Sequence, residues 1–546
     1  MTQTMRAGIW NYGDLFDALA GVVPAQQVAL AHADRVITWG ELTGRTNRIG
    51  RALLAEGAQP GEKLAFYLRN HPAYLEGVIA GFKARQVHVN VNYRYAAREV
   101  NYILDNADAT TVVFGREFSG LVAQIAPGLP GVRRWWVVED GSSEPIPDFA
   151  RSFESVAQNG SGQPLGITRS PDDQFFIYTG GTTGMPKGVM WTQDALRRGL
   201  INPALVVRVP QDLPDHLSIV RENGRGPVNL PACPLMHGTG LLTAISALVS
   251  GGTVATLPSA HFDPQELWAA VEHHRVDQIV IVGDAFARPM TRALDELGGR
   301  RDLGCVLSMV SSGTMWSLEV KQALLRHLPQ VTLLDSFGSS EAVGFGLSVM
   351  TAAGEVQTAR FQIGDEVKVF ADDGREVVRG SGETGLIARA GAIPLGYYKD
   401  PAKTAATFRV VNGVRYAIPG DFCTVDVDGT ITLLGRGSGC INTAGEKVFP
   451  EEVEEVLKQH PDVEDALVVG LPDEKWGQVV TAVVELRAQA GLDEDALRAH
   501  VRGQLAGYKT PKRVVAVARM FRAPNGKADY AGAREHAART LAGAGG

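Results

Sequence analysis

Cysteine and histidine are too few and too scattered in this 546-residue sequence to form a zinc site. No CxxC pair occurs among the four cysteines, which are Cys233, Cys305, Cys423 and Cys440. Reduced thiols in a cytoplasmic protein are therefore expected. The twelve histidines show no ligand spacing, and the neighbours His273 and His274 point to different faces of any regular element.

The sequence also lacks an excess of basic charge and any long apolar run. Its formal net charge of −7 argues against nucleic acid or an anionic membrane as the main partner. No apolar stretch approaches a membrane span, and none follows a basic N-terminal segment, so neither a span nor a signal peptide is expected. The 45% hydrophobic and 21% charged shares are those of a globular protein. At ~150 residues each, roughly three or four core-forming units fit the length.

Strands and helices are predicted to alternate over roughly the first 350 residues. Strand-helix-strand alternation, with a helix over 72–83 for example, predicts a parallel sheet covered by helices on both faces. The expected strands of a first block are 36–38, 64–68, 87–91, 111–114 and 135–138. Those of a second block, from about 193 to 350, are 253–257, 278–282, 306–310 and 332–334. The Ser/Pro/Gly/Gln-rich segment 141–162 predicts a surface connection.

The last third of the chain changes character twice. Helix patterns thin out after residue 361, and short strands with Gly/Asp turns predict a small β-barrel or sandwich; these strands are 367–370, 385–388, 421–425 and 430–433. Two helices and two strands after residue 436 predict a compact α+β unit; they are 451–460, 463–470, 479–486 and 494–505. The Ala/Gly-rich tail from 531 predicts a frayed helix followed by disorder.

The fold expected from these patterns is α/β with two domains. The N-terminal domain, residues 1–436, would contain two stacked α/β subdomains and a small β-barrel. The C-terminal domain, residues 437–546, would be a small mobile α+β unit.

The stretch from Tyr178 to Gly188, YTGGTTGMPKG, concentrates the chemistry of the chain. Glycines allow φ > 0 and let bare N–H groups approach a ligand, threonine hydroxyls donate to phosphate oxygens, and lysine adds positive charge. The expected phosphate-binding residues are Thr179, Gly180, Gly181, Thr182, Thr183, Gly184 and Lys187. The stretch predicts a polyphosphate cradle, and a plain turn between strands is the alternative. It is not a Walker A loop, because Lys187 is followed by glycine and not by Ser or Thr.

This stretch resembles the phosphate-loop signature of the AMP-forming adenylating enzymes, which comprise acyl-CoA synthetases, carrier-protein adenylation domains and firefly-type luciferases. Further motifs of that family follow in the same order at plausible spacing, so the resemblance covers nearly the whole chain. It implies ATP, Mg²⁺ and coenzyme A as the small molecules used.

A second motif, DSFGSSE at 335–341, resembles the family's Tyr-Gly-x-Thr-Glu. The resemblance makes Phe337 the ring that stacks on adenine and Glu341 the catalytic carboxylate that holds Mg²⁺. Upstream, a Gly-Thr-Met segment replaces the Gly-Ala-Pro that packs along adenine. The nucleotide-binding residues implied by both segments are Gly313, Thr314, Met315, Asp335, Ser336, Phe337, Gly338 and Ser340.

Two later positions match family residues around the domain junction, and a third departs from the family pattern. Asp421 matches the carboxylate that takes the ribose hydroxyls, and Arg436 matches the arginine that contacts ribose or phosphate. At the hinge, where many relatives carry Asp or Lys, this chain has Ser438 between two glycines. This departure from the family pattern favours a simple flexible joint there.

The remaining motif residues lie in the C-terminal domain and in one central loop. Gly445 and Lys447 match the segment that lines the pantetheine channel during thioester formation. Lys527, in Pro-Asn-Gly-Lys, matches the catalytic lysine that bridges the acyl carboxylate and the α-phosphate. His237, in PLMHGTG, matches a position that borders the acyl pocket, so a catalytic or substrate-adjacent role is implied.

The resemblance implies a carboxylic acid–CoA ligase that works in two half-reactions. The carboxylate first attacks the α-phosphate of Mg·ATP to give acyl-AMP and pyrophosphate. The small domain then turns, and the CoA thiol displaces AMP. Three alternatives stay open: a stand-alone adenylation enzyme that loads an acyl carrier protein, a luciferase-type oxygenase, and a non-catalytic nucleotide-binding regulator.

Three stretches, 282–290, 393–400 and 415–421, look most like the actinobacterial fatty-acid-CoA ligase branch that includes steroid side-chain ligases. A bulky acid such as a steroid side-chain acid is therefore expected first, a medium- or long-chain fatty acid second and an aryl acid third. Gly238 follows His237 in the sequence, and Gly344 lies three residues after Glu341; both glycines are expected to widen the acyl pocket. A homodimer is left open.

Overall fold

The computed structural model describes residues 10–179, 185–201, 208–314, 316–354, 360–443, 446–473, 477–523 and 526–543, with the backbone alone for 436, 438, 446, 447, 477 and 543. Its helices are α1 (Tyr12–Leu19), α2 (Trp39–Ala55), α3 (Pro72–Lys83), α4 (Ala97–Asn106), α5 (Ser119–Ile125), α6 (Phe153–Gln158), α7 (Gln193–Leu200), α8 (Leu213–Asn223), α9 (Gly238–Val249), α10 (Pro264–His274), α11 (Asp284–Leu297), α12 (Leu318–His327), α13 (Pro401–Thr407), α14 (Pro450–Lys458), α15 (Glu494–Gln504) and α16 (Tyr530–Gly543). Its strands are β1 (Val28–His32), β2 (Arg35–Thr38), β3 (Lys63–Tyr67), β4 (Val87–Asn90), β5 (Ala109–Gly115), β6 (Arg134–Val138), β7 (Arg151–Ser152), β8 (Gln174–Thr179), β9 (Lys187–Thr192), β10 (Val228–Pro231), β11 (Thr253–Thr256), β12 (Gln278–Ile281), β13 (Ser308–Ser312), β14 (Thr332–Ser339), β15 (Ala342–Met350), β16 (Arg360–Ile363), β17 (Val367–Phe370), β18 (Gly385–Arg389), β19 (Gly396–Tyr397), β20 (Phe408–Val411), β21 (Val414–Ala417), β22 (Asp421–Val425), β23 (Ile431–Arg436), β24 (Ile441–Thr443), β25 (Glu446–Val448), β26 (Val463–Asp473), β27 (Gly477–Leu486) and β28 (Arg513–Val517).

Four strands of the first predicted block, β3 to β6, lie with β7 in a five-stranded parallel sheet in the order β4-β3-β5-β6-β7. The prediction that strand 36–38 belongs to this block was wrong, because it is β2, which pairs antiparallel with β1 at the edge of a larger sheet. Helix α3 covers the predicted range and begins with Pro72, whose missing N–H is harmless in the first turn. Every residue of α3 is buried, and its Phe82 lies 5.8 Å from Phe175 of β8, centroid to centroid. The helix therefore joins the first sheet to the strand that leads into the glycine-rich loop.

The second predicted block forms the parallel part of a fifteen-stranded sheet, in the order β1-β11-β10-β12-β13-β14. Direction reverses after β14, because β15 returns antiparallel through the pair Ser339–Ala342. The predicted strand 332–334 was too short. Pairing with β15 extends the strand through Ser339, which leaves Glu341 in the tight turn between the two strands.

The strands expected as a barrel continue the same sheet as an antiparallel unit. They pair in the order β15-β16-β23-β22-β18-β21-β20, with β17 on β18. A separate three-stranded sheet, β19-β9-β8, carries the two ends of the glycine-rich loop.

The C-terminal part folds around its own sheet, β25-β24-β27-β26, with β28 parallel to β27. Successive residues of β26 face opposite sides, as a pleated strand requires. Val468 packs with the helices α14 and α15, whereas Leu467 and Val469 pack with α16. This is the compact α+β unit that the sequence predicts.

Two segments differ from the sequence prediction. Residues 141–162 are not only a connection, because they contain β7 and α6; Ser152 caps α6, and Phe153 packs edge-on against Trp136 at 6.4 Å. The tail is helical as predicted, but α16 is packed, with Ala533 and Ala537 fully buried. Within the described part of the chain, no helix is both long and apolar enough to cross a bilayer.

Candidate active site

The glycine-rich loop joins β8 to β9, which form an antiparallel hairpin with the pair Thr179 and Lys187 nearest the loop. The five residues Gly180–Gly184 lie outside the described residues. Asn90 holds the near end of the hairpin: its side chain accepts from the Tyr178 N–H at 2.7 Å and donates to the Tyr178 carbonyl at 2.8 Å. The same amide donates to the carbonyl of Met236 at 2.8 Å. One buried side chain thus ties the loop to the segment that carries His237.

The lysine at the end of this loop is paired with an acidic residue from a later segment. Lys187 Nζ forms an ion pair with Asp400, whose other oxygen caps α13 by accepting from the Lys403 N–H at 2.9 Å. The hydrogen bond from Lys187 lowers the pKa of the Asp400 carboxyl. The sequence motif therefore brings a cation to the loop, and the fold supplies its counter-ion.

Glu341 lies in the turn between β14 and β15 and is 7% exposed. Its Oε1 accepts a hydrogen bond from the Tyr397 hydroxyl at 2.7 Å. The turn itself is fixed because Trp191 of β9 donates its indole N–H to the Ser340 carbonyl at 3.0 Å. Two motifs that are about 150 residues apart in sequence, the glycine-rich loop and DSFGSSE, therefore meet across β9.

The other residues of the DSFGSSE motif are largely engaged within the protein. Phe337 packs between Phe345 and Phe361, at centroid distances of 5.2 and 5.3 Å, and is 9% exposed. Asp335 is buried and accepts from Lys321 Nζ at 2.9 Å; burial raises its carboxyl pKa although the lysine opposes that shift. The stacking role of Phe337, and nucleotide contacts from Ser336, Gly338 and Ser340, stay predictions.

His237 stands immediately before α9, close to the segment that was matched to the adenine site. A Cβ on Gly313 would lie 3.8 Å from the hydroxyl of Thr239, so the end of β13 approaches the first turn of α9. Thr314, the next residue, is half-buried, and Met315 lies outside the described residues. The predicted adenine segment and the predicted acyl-pocket segment are thus neighbours.

Two cations act on the His237 imidazole. Burial lowers the pKa of His237 most, and the positive charges of Lys527 and Arg94 lower it further, to about 3. The imidazole is therefore neutral at pH 7, and it lies within the electrostatic reach of a lysine from the C-terminal part and an arginine from the loop after β4. Such a grouping suits the approach of an anion.

The turn that carries Lys527 is seated on the N-terminal part. Gly526 has φ of +82°, and a Cβ there would lie 2.9 Å from both the Val282 carbonyl oxygen and the Ala285 Cβ. Glycine is thus required at this contact. Two ion pairs strengthen the same interface: Arg487 with Glu319 at 2.6 Å, and Arg292 with Glu464.

The ribose candidates are backbone partners in neighbouring strands, whereas the thioester candidates are only partly described. Asp421 of β22 is the register partner of Arg436 of β23. Lys447 of β25 pairs through its backbone with Asn442 of β24. The side chains of Arg436 and Lys447, and the whole of Gly445, lie outside the described residues.

Sequence reasoning missed three residues of this arrangement: Tyr397, Arg94 and Arg522. Arg522 donates to the Gly526 carbonyl at 3.2 Å and so reaches the lysine turn. Tyr397 lies in the stretch 393–400, whose sequence indicates only the subfamily. Arg94 lies in a stretch in which the sequence analysis identifies no motif. No spacing rule connects Tyr397 with Glu341, or Arg94 with His237, because these residues are far apart in sequence and come together only in the tertiary structure.

Comparison with protein families and curated proteins gives full-length matches. The model of the AMP-binding enzyme family matches residues 16–398, and that of the AMP-binding enzyme C-terminal domain matches 452–527. The chain is 41% identical over 534 residues to a 3-oxocholest-4-en-26-oate–CoA ligase of Rhodococcus rhodochrous, which covers 96% of this chain and 95% of that protein. It is 40% identical to a medium/long-chain-fatty-acid–CoA/3-oxocholest-4-en-26-oate–CoA ligase of Mycolicibacterium smegmatis, with 96% of each chain covered.

Solved structures share the fold along the whole chain. The anthranilate CoA ligase AuaEII in complex with anthranoyl-AMP superposes with a TM-score of 0.83 at 20% identity, covering 99% of this chain and 100% of that one. ATP-bound MatB from Rhodopseudomonas palustris superposes with a TM-score of 0.79 at 25% identity, covering 96% and 99%. The predicted fold class, a large N-terminal α/β domain and a smaller C-terminal domain, is confirmed.

Proposed function

The chain belongs to the AMP-binding enzyme family and is an AMP-forming acyl-CoA ligase that uses ATP and CoA, and from this premise we propose that it activates a bulky or long-chain carboxylic acid in two half-reactions. The observation that carries the proposal is the contact of the Lys527 turn with the N-terminal part, where a Cβ on Gly526 would lie 2.9 Å from the Val282 carbonyl oxygen. The positive charge of Lys527, which lowers the pKa of His237, supports an orientation of the lysine toward the site between the glycine-rich loop, Glu341 and α9.

In the first half-reaction, a carboxylate oxygen of the acid forms a bond to the α-phosphorus of ATP, and the bond from that phosphorus to pyrophosphate breaks. Two anions must approach each other, and charge grows on the phosphoryl oxygens. We assign Lys527 to that charge and Lys187 to the outer phosphates. One preorganised charge of this kind typically contributes about 10²–10³ in rate. Neutral His237 borders the acid without adding a charge of its own.

Glu341 fits a role in holding Mg²⁺ together with ATP. Among the described residues, no group of three or more His, Cys, Asp or Glu could hold a metal by protein ligands alone. Mg²⁺ in nucleotide sites usually takes one or two carboxylates, substrate phosphates and waters, and Glu341 offers one buried carboxylate beside the loop. When bound, the ion would offset the negative charge of the phosphates.

In the second half-reaction, the CoA sulfur bonds to the acyl carbon as the bond to AMP breaks, and the thiol proton leaves with solvent. We propose that residues 437–546 move as the second domain, with the short 3₁₀ turn Gly437–Gly439 as the joint. Lys527 would then withdraw and the Lys447 segment approach. A single pocket cannot be complementary to both transition states, which is the physical reason for such a movement. A homodimer and a cytoplasmic location stay predictions.

The acid class rests on the two relatives named above, which act on a steroid side-chain acid and on medium- or long-chain fatty acids. Purified enzyme should be given ATP, Mg²⁺ and CoA with one acid at a time: a steroid side-chain acid, a long-chain fatty acid, an aryl acid or acetate. We expect equal amounts of AMP, pyrophosphate and CoA thioester, with the highest kcat/KM for the bulky acids. Pyrophosphate release without any CoA thioester would contradict CoA as the acceptor.

A second measurement tests the role of Lys527. Lys527→Ala should lose most acyl-adenylate formation, because the cation at the α-phosphate is gone, and should largely keep thioester formation from supplied acyl-AMP. Equal loss in both half-reactions would contradict the assignment of the lysine to the first half-reaction alone.

A further inference from the structure

Tyr397 is joined to Glu341 by a short, buried hydrogen bond. The tyrosine hydroxyl donates to Glu341 Oε1 at 2.7 Å, and the two residues are 5% and 7% exposed. A carboxylate has two oxygens and rotates about its last torsion almost freely, since terminal sp³–sp² torsions are broad. A donor fixed on one oxygen therefore determines where the other oxygen points.

The hydroxyl is held in place by contacts that do not involve Glu341. The Tyr397 N–H donates to the Thr404 hydroxyl at 2.9 Å, and its ring packs edge-on against Phe408 at 5.9 Å. Its strand, β19, pairs with β9 through Tyr397–Val189. The preceding Gly396 has no room for a side chain, because a Cβ there would lie 2.5 Å from Thr404 Cγ2.

The same segment also reaches the other end of the phosphate site. Three residues after Tyr397, Asp400 pairs with Lys187 at the end of the glycine-rich loop. Residues 396–400 thus contact both the loop lysine and the carboxylate at the β14–β15 turn. A segment with both contacts can hold these two parts of the nucleotide site in a fixed position relative to each other.

We propose that Tyr397 is a positioning residue for Glu341: its hydroxyl holds Oε1, so that Oε2 is presented to the cation that accompanies ATP. The inference rests on the proposed role of Glu341. Partners that orient a metal-binding carboxylate are typically worth about 10–100-fold in metal affinity or activity. The tyrosine acts through Glu341 and needs no contact with the substrate.

The test is Tyr397→Phe, which keeps the ring and removes only the hydroxyl. The Mg²⁺ concentration that gives half-maximal acid-dependent pyrophosphate release should rise about tenfold, while KM for the acid stays unchanged. Binding of the non-reacting analogue α,β-methylene-ATP, measured by calorimetry, should weaken in Mg²⁺ and stay unchanged in EDTA. An unchanged Mg²⁺ midpoint together with unchanged analogue binding would overturn the proposal.

Tyr398→Phe is the matched control, because the Tyr398 hydroxyl donates to a different carboxylate, that of Asp108, over the same 2.7 Å. Its Mg²⁺ dependence should match the wild type. In a Glu341→Gln background, adding Tyr397→Phe should cause no further shift, since the oriented carboxylate is already lost. A full further shift there, or an equal shift in Tyr398→Phe, would overturn the proposal.

Failure of the ligase assignment would look different. In that case the wild type would release no acid-dependent pyrophosphate at any Mg²⁺ concentration. The calorimetric comparison in Mg²⁺ and EDTA would still decide the role of Tyr397. Equal melting temperatures of the two phenylalanine variants and the wild type would show that the hydroxyl acts on the site and not on folding.

Discussion

Arg522 donates two hydrogen bonds to the carboxylate of Asp465, Nε to Oδ2 at 2.5 Å and Nη2 to Oδ1 at 2.8 Å. Asp465 is buried, and burial alone would raise its pKa, but the bonds from Arg522 and the charge of Lys458 hold the pKa below its usual range. The remaining nitrogen of Arg522 donates to the Gly526 carbonyl. The turn presents Lys527, and this ion pair therefore anchors that turn to the core sheet of the C-terminal domain.

Arg522→Lys should lower acyl-adenylate formation about 10- to 100-fold, because a single ammonium cannot hold both the carboxylate and the turn, and a small misplacement of a catalytic group is costly. Thioester formation from supplied acyl-AMP should be retained, as measured by single-turnover assays of each half-reaction. Arg539→Lys, which alters an exposed ion pair with Glu535 within α16, should leave both half-reactions unchanged. Equal losses in both would mean that Arg522 only stabilises the domain.

Gly526→Ala tests whether the lysine turn must dock on α11 for the first half-reaction. The added Cβ would meet the Val282 carbonyl at 2.9 Å, so docking should weaken and acyl-adenylate formation should fall, while the second half-reaction is spared. Gly413→Ala is the control for backbone strain, because its φ of +78° is similar and nothing lies within 4 Å of its Cβ. A loss of the same size in Gly413→Ala would remove docking as the cause.

The pKa of His237 predicts a pH dependence of stability. Because the folded-state pKa is lowered from 6.5 to about 3, the folded protein binds fewer protons than the unfolded one between these values. The contribution is fully present above pH 6.5 and is lost as the pH falls toward 3, by at most about 1.4 kcal/mol per pH unit. Relative to His237→Asn, the wild type should lose melting temperature between pH 7 and pH 4.5. Parallel curves for the two proteins would contradict the lowered pKa.

Gly238 offers the cleanest test of pocket size. Gly344, the other candidate, has φ of +72°, so any side chain there strains the backbone and a loss would not report on volume. At Gly238 a Cβ would lie an ordinary 3.7 Å from Leu242 Cδ1. Gly238→Val should lower kcat/KM for a bulky acid relative to a short one by roughly 10–100-fold, measured with both acids in competition.

The control for this substitution is Gly120→Val in α5, where nothing lies within 4 Å of the added Cβ. It should leave the ratio between the two acids unchanged. A uniform loss for both acids in Gly238→Val would mean that Gly238 serves the start of α9 and does not border the acid.

The sequence by itself determined the local elements and the order of the motifs. Helix α3 and the strands β17 and β22 have the predicted bounds, because their periodicity and caps are set by residues within a few positions of each other. The short helix α6 was missed for the opposite reason. Its segment is mostly polar, and the burial of Phe153 against Trp136 is a contact that no local pattern contains.

Only the tertiary structure decided how the motifs meet. Strand β14 runs on to Ser339 because β15 supplies its hydrogen-bond partners, Tyr397 reaches Glu341 because β19 pairs with β9, and Lys527 acts on His237 because Gly526 fits against Val282. The last two contacts join residues far apart in the chain, and the first depends on a partner strand that follows the motif. The energy of each contact depends on how whole elements pack, and periodicity, which reports on the face of a single element, carries no information about that packing.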